Sequence, residues 1–136
     1  MIKKLISQYV NKYRSFIKFI VVGSLSTSLD LCIYIVLSNT IDITISKLIS
    51  TTIACISSLL LNKTWTFQYG EDISVVLILK YTISQIFNIL FNVTTNTLIY
   101  KVTKLKIVAF IIATLFAMIL NFLLQKYYVF KTKEDS

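Results

Sequence analysis

The sequence predicts an all-α membrane protein of four transmembrane helices, arranged as two tandem helical hairpins. Three observations predict this fold class. Of the 136 residues, 56% are hydrophobic, and the mean hydropathy of +0.76 lies far above that of soluble domains. Four stretches are long and apolar enough to cross a bilayer core, which takes about 20 helical residues. A short motif at the end of the second and fourth stretches, called the closing phrase below, also occurs twice, as LLNKTWTF at residues 60–67 and LLQKYYVF at residues 123–130.

The chain begins with an amphipathic stretch, residues 1–15, in which Ile2, Leu5 and Ile6 are interleaved with lysines. We expect this stretch to lie on the cytoplasmic leaflet as a helix. The first predicted span follows over residues 16–38. Its apolar region is longer than that of a signal peptide, and no cleavage pattern of small residues follows it, so we expect it to be retained as a membrane span.

The other three predicted spans cover residues 45–61, 76–99 and 107–124. Only a few residues separate the first span from the second and the third from the fourth, so each pair is expected to form a tight antiparallel hairpin. The longest connection joins the two hairpins. Because so little chain lies outside the spans, we treat residues 1–136 as a single transmembrane domain.

The internal repeat extends beyond the closing phrase, whose two copies are 63 positions apart. Lys18 in the first span matches Lys80 in the third at a separation of 62, which aligns Asp30 with Asn92. Two hairpins with the same orientation predict a pseudo-twofold axis along the membrane normal, as in parallel-repeat transporters. Aligned residues would then lie at the same depth.

The net charge of +8 comes from cations at the helix ends, which argues against a nucleic-acid-binding face. The positive-inside rule favours both termini in the cytoplasm, because ten cations then face inward and four outward. Anionic headgroups are the expected partners of the inner set. That set is Lys3, Lys4, Lys12, Arg14, Lys18, Lys63, Lys80, Lys126, Lys131 and Lys133, and the outer set is Lys47, Lys101, Lys104 and Lys106.

Asp30 lies near the middle of the first predicted span, where a carboxylate costs about 2.5 to 3.5 kcal/mol on insertion scales. The hydroxyls of Ser24, Ser26, Thr27 and Ser28 are its expected hydrogen-bond partners. Asp30 could pin helices together, or it could handle substrate or protons. Ionisable residues inside a membrane are functional by default.

The other three spans each carry a polar stripe at helical spacing. Any single amide or hydroxyl could merely join helices, for about 0.6 kcal/mol. Together with Asp30, the stripes predict an internal polar cavity. They comprise Thr51, Cys55, Ser58 and Asn62 in the second span, Gln85, Asn88, Asn92 and Asn96 in the third, and Thr114, Met118, Asn121 and Gln125 in the fourth.

Lys63 and Lys126 directly follow the amides Asn62 and Gln125. A cation beside an amide donor is suited to a phosphate oxygen, and anchoring at headgroup depth is the alternative. Catalytic chemistry has little support, because the chain has no His and no phosphate-cradling glycine loop. Two cysteines without His cannot form a metal site. We therefore expect no enzymatic activity, no metal and no cofactor.

Three motifs resemble those of the GtrA-like family of small four-helix membrane proteins. They are FIKF at residues 16–19 followed by Val22-Gly23 and Asp30, LLLNKTWTF at 59–67, and NFLLQKYYVF at 121–130. Lys63 and Lys126 stand where that family often has arginine, and lysine lacks the bidentate fork for phosphate. The resemblance implies a bacterial plasma-membrane protein of cell-surface polysaccharide synthesis. Such a protein would move a polyprenyl-phosphate-linked sugar to the outer leaflet for a membrane glycosyltransferase.

The leading hypothesis is therefore flipping of a polyprenyl-phosphate-linked sugar. One alternative is a proton-coupled small-molecule exporter in which Asp30 binds cation and proton alternately, and another is a non-transporting scaffold for a glycosyltransferase. A small bundle is also compatible with a homodimer. In the leading hypothesis, Lys63 and Lys126 receive the phosphate beside Asn62 and Gln125, and Asp30, Asn88, Asn92 and Asn121 line the path of the sugar.

Overall fold

The computed structural model describes residues 1–131, apart from the side chain of Lys12. Two cations in the topology prediction, the Lys12 side chain and Lys133, thus lie outside the described residues. The secondary structure consists of α1 (Ile2–Ser38), α2 (Ile43–Leu61), α3 (Val75–Thr103) and α4 (Lys106–Leu124). Helices α2 and α4 each continue into a five-residue π-helical segment, Asn62–Thr66 and Gln125–Val129. No strand occurs in this part of the chain.

All four helices are long and apolar enough to cross a membrane. The 19 residues of α2 rise about 28 Å, close to the thickness of a hydrocarbon core. Large apolar side chains are exposed along the helices, among them Leu48 at 69% and Phe110 at 65%. Exposing so much apolar surface is unfavourable in water but not in lipid. The prediction of an all-α protein with four membrane-spanning helices is confirmed, and the protein is a multi-pass membrane protein.

The first helix differs from the predicted division into a leaflet segment and a span. Helix α1 runs without a break over the 37 residues Ile2–Ser38, a length of about 55 Å. No helix boundary occurs near residue 15. The reason is that the first 22 residues contain no Pro and no Gly, so nothing interrupts the backbone hydrogen bonds there. The amphipathic stretch is the N-terminal part of the first membrane helix.

Capping residues extend two helices beyond their predicted starts. Asp42 precedes α2, and its carboxylate accepts hydrogen bonds from the backbone N–H groups of Thr44 at 2.8 Å and Ile45 at 3.2 Å. Ser74 caps α3 through its hydroxyl, which accepts from Leu77 N at 3.1 Å. Both are favoured residue types at this position because they satisfy otherwise unpaired donors. The α2 cap moves the helix start from residue 45 to Ile43.

The chain divides into two compact units, Met1–Gly70 and Glu71–Ser136. In the first unit α1 packs against α2, and in the second α3 packs against α4. Each pair is joined by four residues or fewer, which makes each unit an antiparallel helical hairpin. The two predicted hairpins are thus present, one in each unit.

Small residues form the buried face of the second helix in each unit. They recur every four residues and therefore lie on one side of the helix. Small side chains allow close approach of membrane helices. The stripe in α2 is Ser46, Ser50 and Ala54, exposed to 0%, 0% and 7%, and the stripe in α4 is Ala109, Ala113 and Ala117, exposed to 0%, 0% and 3%.

The two small-residue stripes are 63 positions apart, the same separation as the two closing phrases. The π-helical segments Asn62–Thr66 and Gln125–Val129 share this separation. Each segment ends in an i to i−5 bond, Phe67 N to Asn62 O at 2.9 Å and Phe130 N to Gln125 O at 2.8 Å. The internal duplication stays a prediction, and these correspondences within the two units support it.

Candidate functional site

Asp30 lies in a cluster of charged and hydroxyl side chains within the first hairpin. Its carboxylate accepts hydrogen bonds from Lys47 Nζ at 2.7 Å, Ser50 Oγ at 2.7 Å and Thr51 Oγ1 at 3.3 Å. Lys47 and Asp30 form an ion pair, with 56% and 18% of their side chains exposed. The Lys47 ammonium also lies 5.7 Å from the centroid of the Tyr34 ring. The carboxylate is therefore charge-paired and hydrogen-bonded to α2.

Two of the four expected hydroxyl partners of Asp30, Thr27 and Ser28, bond their own helix instead. Thr27 donates to the carbonyl of Gly23 and Ser28 to the carbonyl of Ser24, both at 2.9 Å. This i to i−4 bond is the usual way for a hydroxyl within a membrane helix to find an acceptor. The partner set thus differs from the predicted one. The observed pairing favours a role for Asp30 in joining α1 to α2.

Asn62 is buried at the start of the first π-helical segment, with 1% of the residue exposed. Its Oδ1 accepts a hydrogen bond from Thr66 Oγ1 at 2.9 Å. Its Nδ2 donates to Ser58 Oγ at 3.4 Å. The predicted amide is therefore inside the first unit, and it links α2 to the last residue of the π-helical segment.

In the second unit the structure brings two predicted site residues together. Asn121 Oδ1 accepts from Gln125 Nε2 at 3.1 Å and from Gln85 Nε2 at 3.0 Å. Gln125 has 1% of its surface exposed. The shared acceptor joins α3, α4 and the second π-helical segment through three amides. A polar substrate could form hydrogen bonds with these amides only if the bonds between the amides were broken.

Two buried polar atoms of the described residues have no hydrogen-bond partner there, Ser26 Oγ and Asn88 Oδ1. The two residues are 62 positions apart, as Lys18 and Lys80 are. A buried acceptor without a partner costs about 1 to 3 kcal/mol, so each atom marks a place where a polar group would be stabilised. Asn88 was a predicted site residue, whereas Ser26 was predicted only as a partner of Asp30. Asn92 is half-buried one turn after Asn88.

The buried faces differ from part of the predicted polar stripes. Cys55 in α2 and Thr114 in α4 are exposed, whereas the neighbouring positions Ala54 and Ala113 are buried. At these positions the small-residue stripe is buried and the polar stripe is not. The expectation that the stripes of all spans meet in one cavity stays a prediction.

Lys63 and Lys126 are half-buried beside aromatic rings. The Lys63 ammonium donates to the Tyr69 carbonyl at 3.3 Å and lies 5.8 Å from the Tyr69 ring centroid. The Lys126 ammonium lies 5.7 Å from the Phe122 centroid and 5.4 Å from that of Tyr127. Cation–π contacts are attractive, but none of these contacts neutralises the positive charge.

Two further lysines contact the π-helical segments. Lys18 donates to the Trp65 carbonyl at 3.2 Å, and its ammonium lies 5.3 Å from the Trp65 ring centroid. Lys80 lies 5.7 Å from the Tyr128 ring centroid. A lysine near a helix end commonly extends its ammonium to headgroup depth, which is one role for both residues. The structure shows in addition that each lysine joins the first helix of its hairpin to the end of the second.

Comparison with known proteins identifies the family. A family model of the GtrA/DPMS transmembrane domain matches residues 18–130. No curated protein matches the chain significantly. Domains of this family are involved in glycosylation and polysaccharide synthesis at membranes and are typically non-catalytic. The match includes α1 from residue 18 onward, the other three helices and both π-helical segments, and the resemblance found in the sequence is confirmed. The chain belongs to the GtrA/DPMS transmembrane domain family.

Proposed function

We propose that the protein moves a polyprenyl-phosphate-linked sugar from the cytoplasmic to the outer leaflet of the bacterial plasma membrane, where a membrane glycosyltransferase uses it. The family match carries this proposal. Buried amides and hydroxyls within each hairpin support it, because a sugar that leaves water needs hydrogen-bond partners in its place. The proposed orientation has both termini in the cytoplasm, and the distribution of cations supports it.

Lys63 in the first unit and Lys126 in the second are each proposed to contact a substrate phosphate. Each is half-buried and follows a buried amide, Asn62 or Gln125, that is 1% exposed. Their contacts with Tyr69, and with Phe122 and Tyr127, orient the ammonium groups without compensating their charge. A phosphate oxygen would supply the missing negative charge, and charge-assisted hydrogen bonds are about twice as strong as neutral ones.

Among the predicted residues, Asn88 is the one that we most expect to contact the sugar. Its Oδ1 is buried and lacks a partner among the described residues, so it can accept a sugar hydroxyl without breaking an existing bond. Asn92 lies one turn further along the same helix. Asn121 is already shared by two amides. Asp30 would contact a sugar only by exchanging Lys47, Ser50 or Thr51, and its main proposed role is to hold the first hairpin together.

The test is transport in proteoliposomes that contain the purified protein and a labelled polyprenyl-phosphate sugar. Arrival of the label in the opposite leaflet is followed with a membrane-impermeant reagent. We expect transport by the wild type and a loss of about tenfold or more in Asn88→Ala and in Lys63→Gln/Lys126→Gln. Thr82→Val is the matched control, because that exposed hydroxyl bonds only its own helix at Ile78 O, 2.9 Å away.

Lack of transport by well-folded wild-type protein would contradict the proposed translocation. In that case a scaffold for a glycosyltransferase would be the better account. Transport that survives in both variants would retain the function and remove these residue assignments. The Asp30–Lys47 ion pair makes the exporter alternative less favoured, because a proton or substrate cation would have to displace the Lys47 ammonium, which lies 2.7 Å from the carboxylate.

A further inference from the structure

We infer that the N-terminal part of α1, together with the first π-helical segment, forms a binding site for the phosphate and adjoining hydrocarbon of a polyprenyl phosphate. Two hollows meet there, both within the unit Met1–Gly70. One is a groove of about 590 Å³ that is lined mainly by apolar side chains. The other is a polar pocket of about 300 Å³. Their combination fits a molecule with an apolar tail and a charged, hydroxyl-bearing head.

Arg14 and Lys18 line both hollows and therefore form the boundary between them. They are one helical turn apart on α1, which places their Cβ atoms about 5 to 6 Å from each other. Lys18 is oriented by the Trp65 carbonyl and ring. Arg14 is exposed and makes no hydrogen bond or ion pair with any residue that the structure describes. Its five donors are thus available to an anion, and one phosphate can contact both cations.

The groove fits a single hydrocarbon chain. Val10, Tyr13, Ile17 and Val21 recur every three or four residues, so they form one apolar stripe along α1. Trp65 lines the same groove. A polyprenyl phosphate has one chain, whereas a diacyl phospholipid has two. A single apolar stripe along one helix therefore favours the polyprenyl phosphate.

The polar pocket lies on the other side of the two cations and suits a sugar. Besides Arg14 and Lys18 it is lined by amide and hydroxyl side chains, Asn11, Ser15, Thr66 and Gln68. Thr66 Oγ1 donates to Asn62 Oδ1 at 2.9 Å, so the pocket adjoins the buried amide of the predicted site. The assignment of a sugar to this pocket rests on the proposed function, whereas the assignment of a phosphate rests on the two cations alone.

The described residues of the second hairpin include no counterpart of Arg14. Lys80 lies over Tyr128 as Lys18 lies over Trp65. At the repeat separation of 62, however, the position of Arg14 is taken by Val76. Helix α3 also begins only at Val75, so it has no counterpart of the N-terminal turns of α1. Lys80 is therefore a matched control, since it makes the same kind of aromatic contact without a neighbouring arginine.

The test measures binding of a fluorescent polyprenyl monophosphate to the full-length protein in phosphatidylcholine nanodiscs. We expect Arg14→Gln and Lys18→Gln each to weaken binding about tenfold or more, since each removes a charge-assisted contact. Lys80→Gln and the exposed Lys4→Gln should bind as the wild type does. The polyprenol without phosphate should bind at least about tenfold more weakly. Thermal unfolding verifies that the substituted proteins are folded. The variant Arg14→Lys, which keeps the charge, should retain more of the affinity than Arg14→Gln does.

Unchanged affinity in Arg14→Gln/Lys18→Gln would overturn the inference, as would an equal loss in Lys80→Gln. Equally strong competition by phosphatidic acid would also overturn it, because the surface would then be a general site for anionic lipid. The transport assay separates this inference from the proposed function. Binding by a wild-type protein that transports nothing would leave the site standing and remove translocation. Normal transport by a double variant that no longer binds would remove the site from the transport route.

Discussion

The Lys18 ammonium lies 5.3 Å from the centroid of the Trp65 ring and donates to the Trp65 carbonyl at 3.2 Å. One side chain thereby contacts both the backbone and the ring of a residue 47 positions away. It fixes the end of the first hairpin at which α1 meets the π-helical segment. Because Lys18 also borders the groove and the polar pocket, this contact orients a cation toward the proposed phosphate.

The Asp30–Lys47 ion pair should stabilise the first hairpin. In a double-mutant cycle with Asp30→Asn and Lys47→Met, we expect a coupling free energy of about 1 kcal/mol, measured by unfolding in detergent. The value should be modest because the Lys47 side chain is 56% exposed. A coupling near zero would show that the pair does not hold α1 to α2. If transport in Asp30→Asn loses all pH dependence, the exporter alternative would regain support.

Enlarging a residue of the α4 stripe should separate the helices of the second hairpin. Ala113 is fully buried, so Ala113→Leu should lower the free energy of unfolding by about 1 to 3 kcal/mol through overpacking. Thr114→Leu is the matched control, because the neighbouring Thr114 is exposed and should tolerate leucine. Thermal unfolding in detergent measures both variants. Equal destabilisation by the two substitutions would contradict the observed helix contact.

Removing the unpartnered polar atoms should not destabilise the fold. Ser26→Ala deletes a buried hydroxyl that has no hydrogen-bond partner among the described residues. Its free energy of unfolding should stay within about 0.5 kcal/mol of the wild type or rise, because no bond is lost. Ser50→Ala, which loses a bond of 2.7 Å to Asp30, should be destabilised by about 1 kcal/mol. A larger loss in Ser26→Ala than in Ser50→Ala would show that Ser26 has a partner in the folded protein.

The orientation can be tested with a membrane-impermeant thiol reagent on intact cells. Cys32 and Cys55 are first replaced by serine, and single cysteines are introduced at Asn39 or at Gly70. Asn39 lies in the connection of the first hairpin and Gly70 in the connection between the hairpins. With both termini in the cytoplasm, only Asn39→Cys should be labelled from outside. Labelling of Gly70→Cys alone would invert the topology.

The sequence predicts the four helices because long apolar segments leave few other structures in a bilayer. It predicts less about which faces pack. The polar pattern predicts that polar residues face the interior, yet Ala113 and Ala54 are buried while Thr114 is exposed. In lipid, small size rather than polarity decides how closely helices approach. A count of small residues at four-residue spacing would have found these faces.

The candidate site was predictable in part. The amides Asn62 and Gln125 are buried as expected, because an amide within an apolar helix needs a protein partner. The pairing of Asp30 with Lys47 was not predicted, since Lys47 was counted among the outer cations. A position near the start of α2 lies opposite one near the end of α1 in a tight hairpin, so the short connection was the missed signal. Nothing in the sequence indicates the π-helical segments.

The π-helical segments have a consequence for the aromatic residues that follow Asn62 and Gln125. A π-helical turn holds about one residue more than an α-helical turn, and each residue of an α-helix rotates the chain by roughly 100°. Trp65 and Tyr128 are therefore rotated about the helix axis relative to their positions in a continuous α-helix. Deletion of a single residue from Asn62–Thr66 would swing the indole away from its lysine even though every side chain involved was retained.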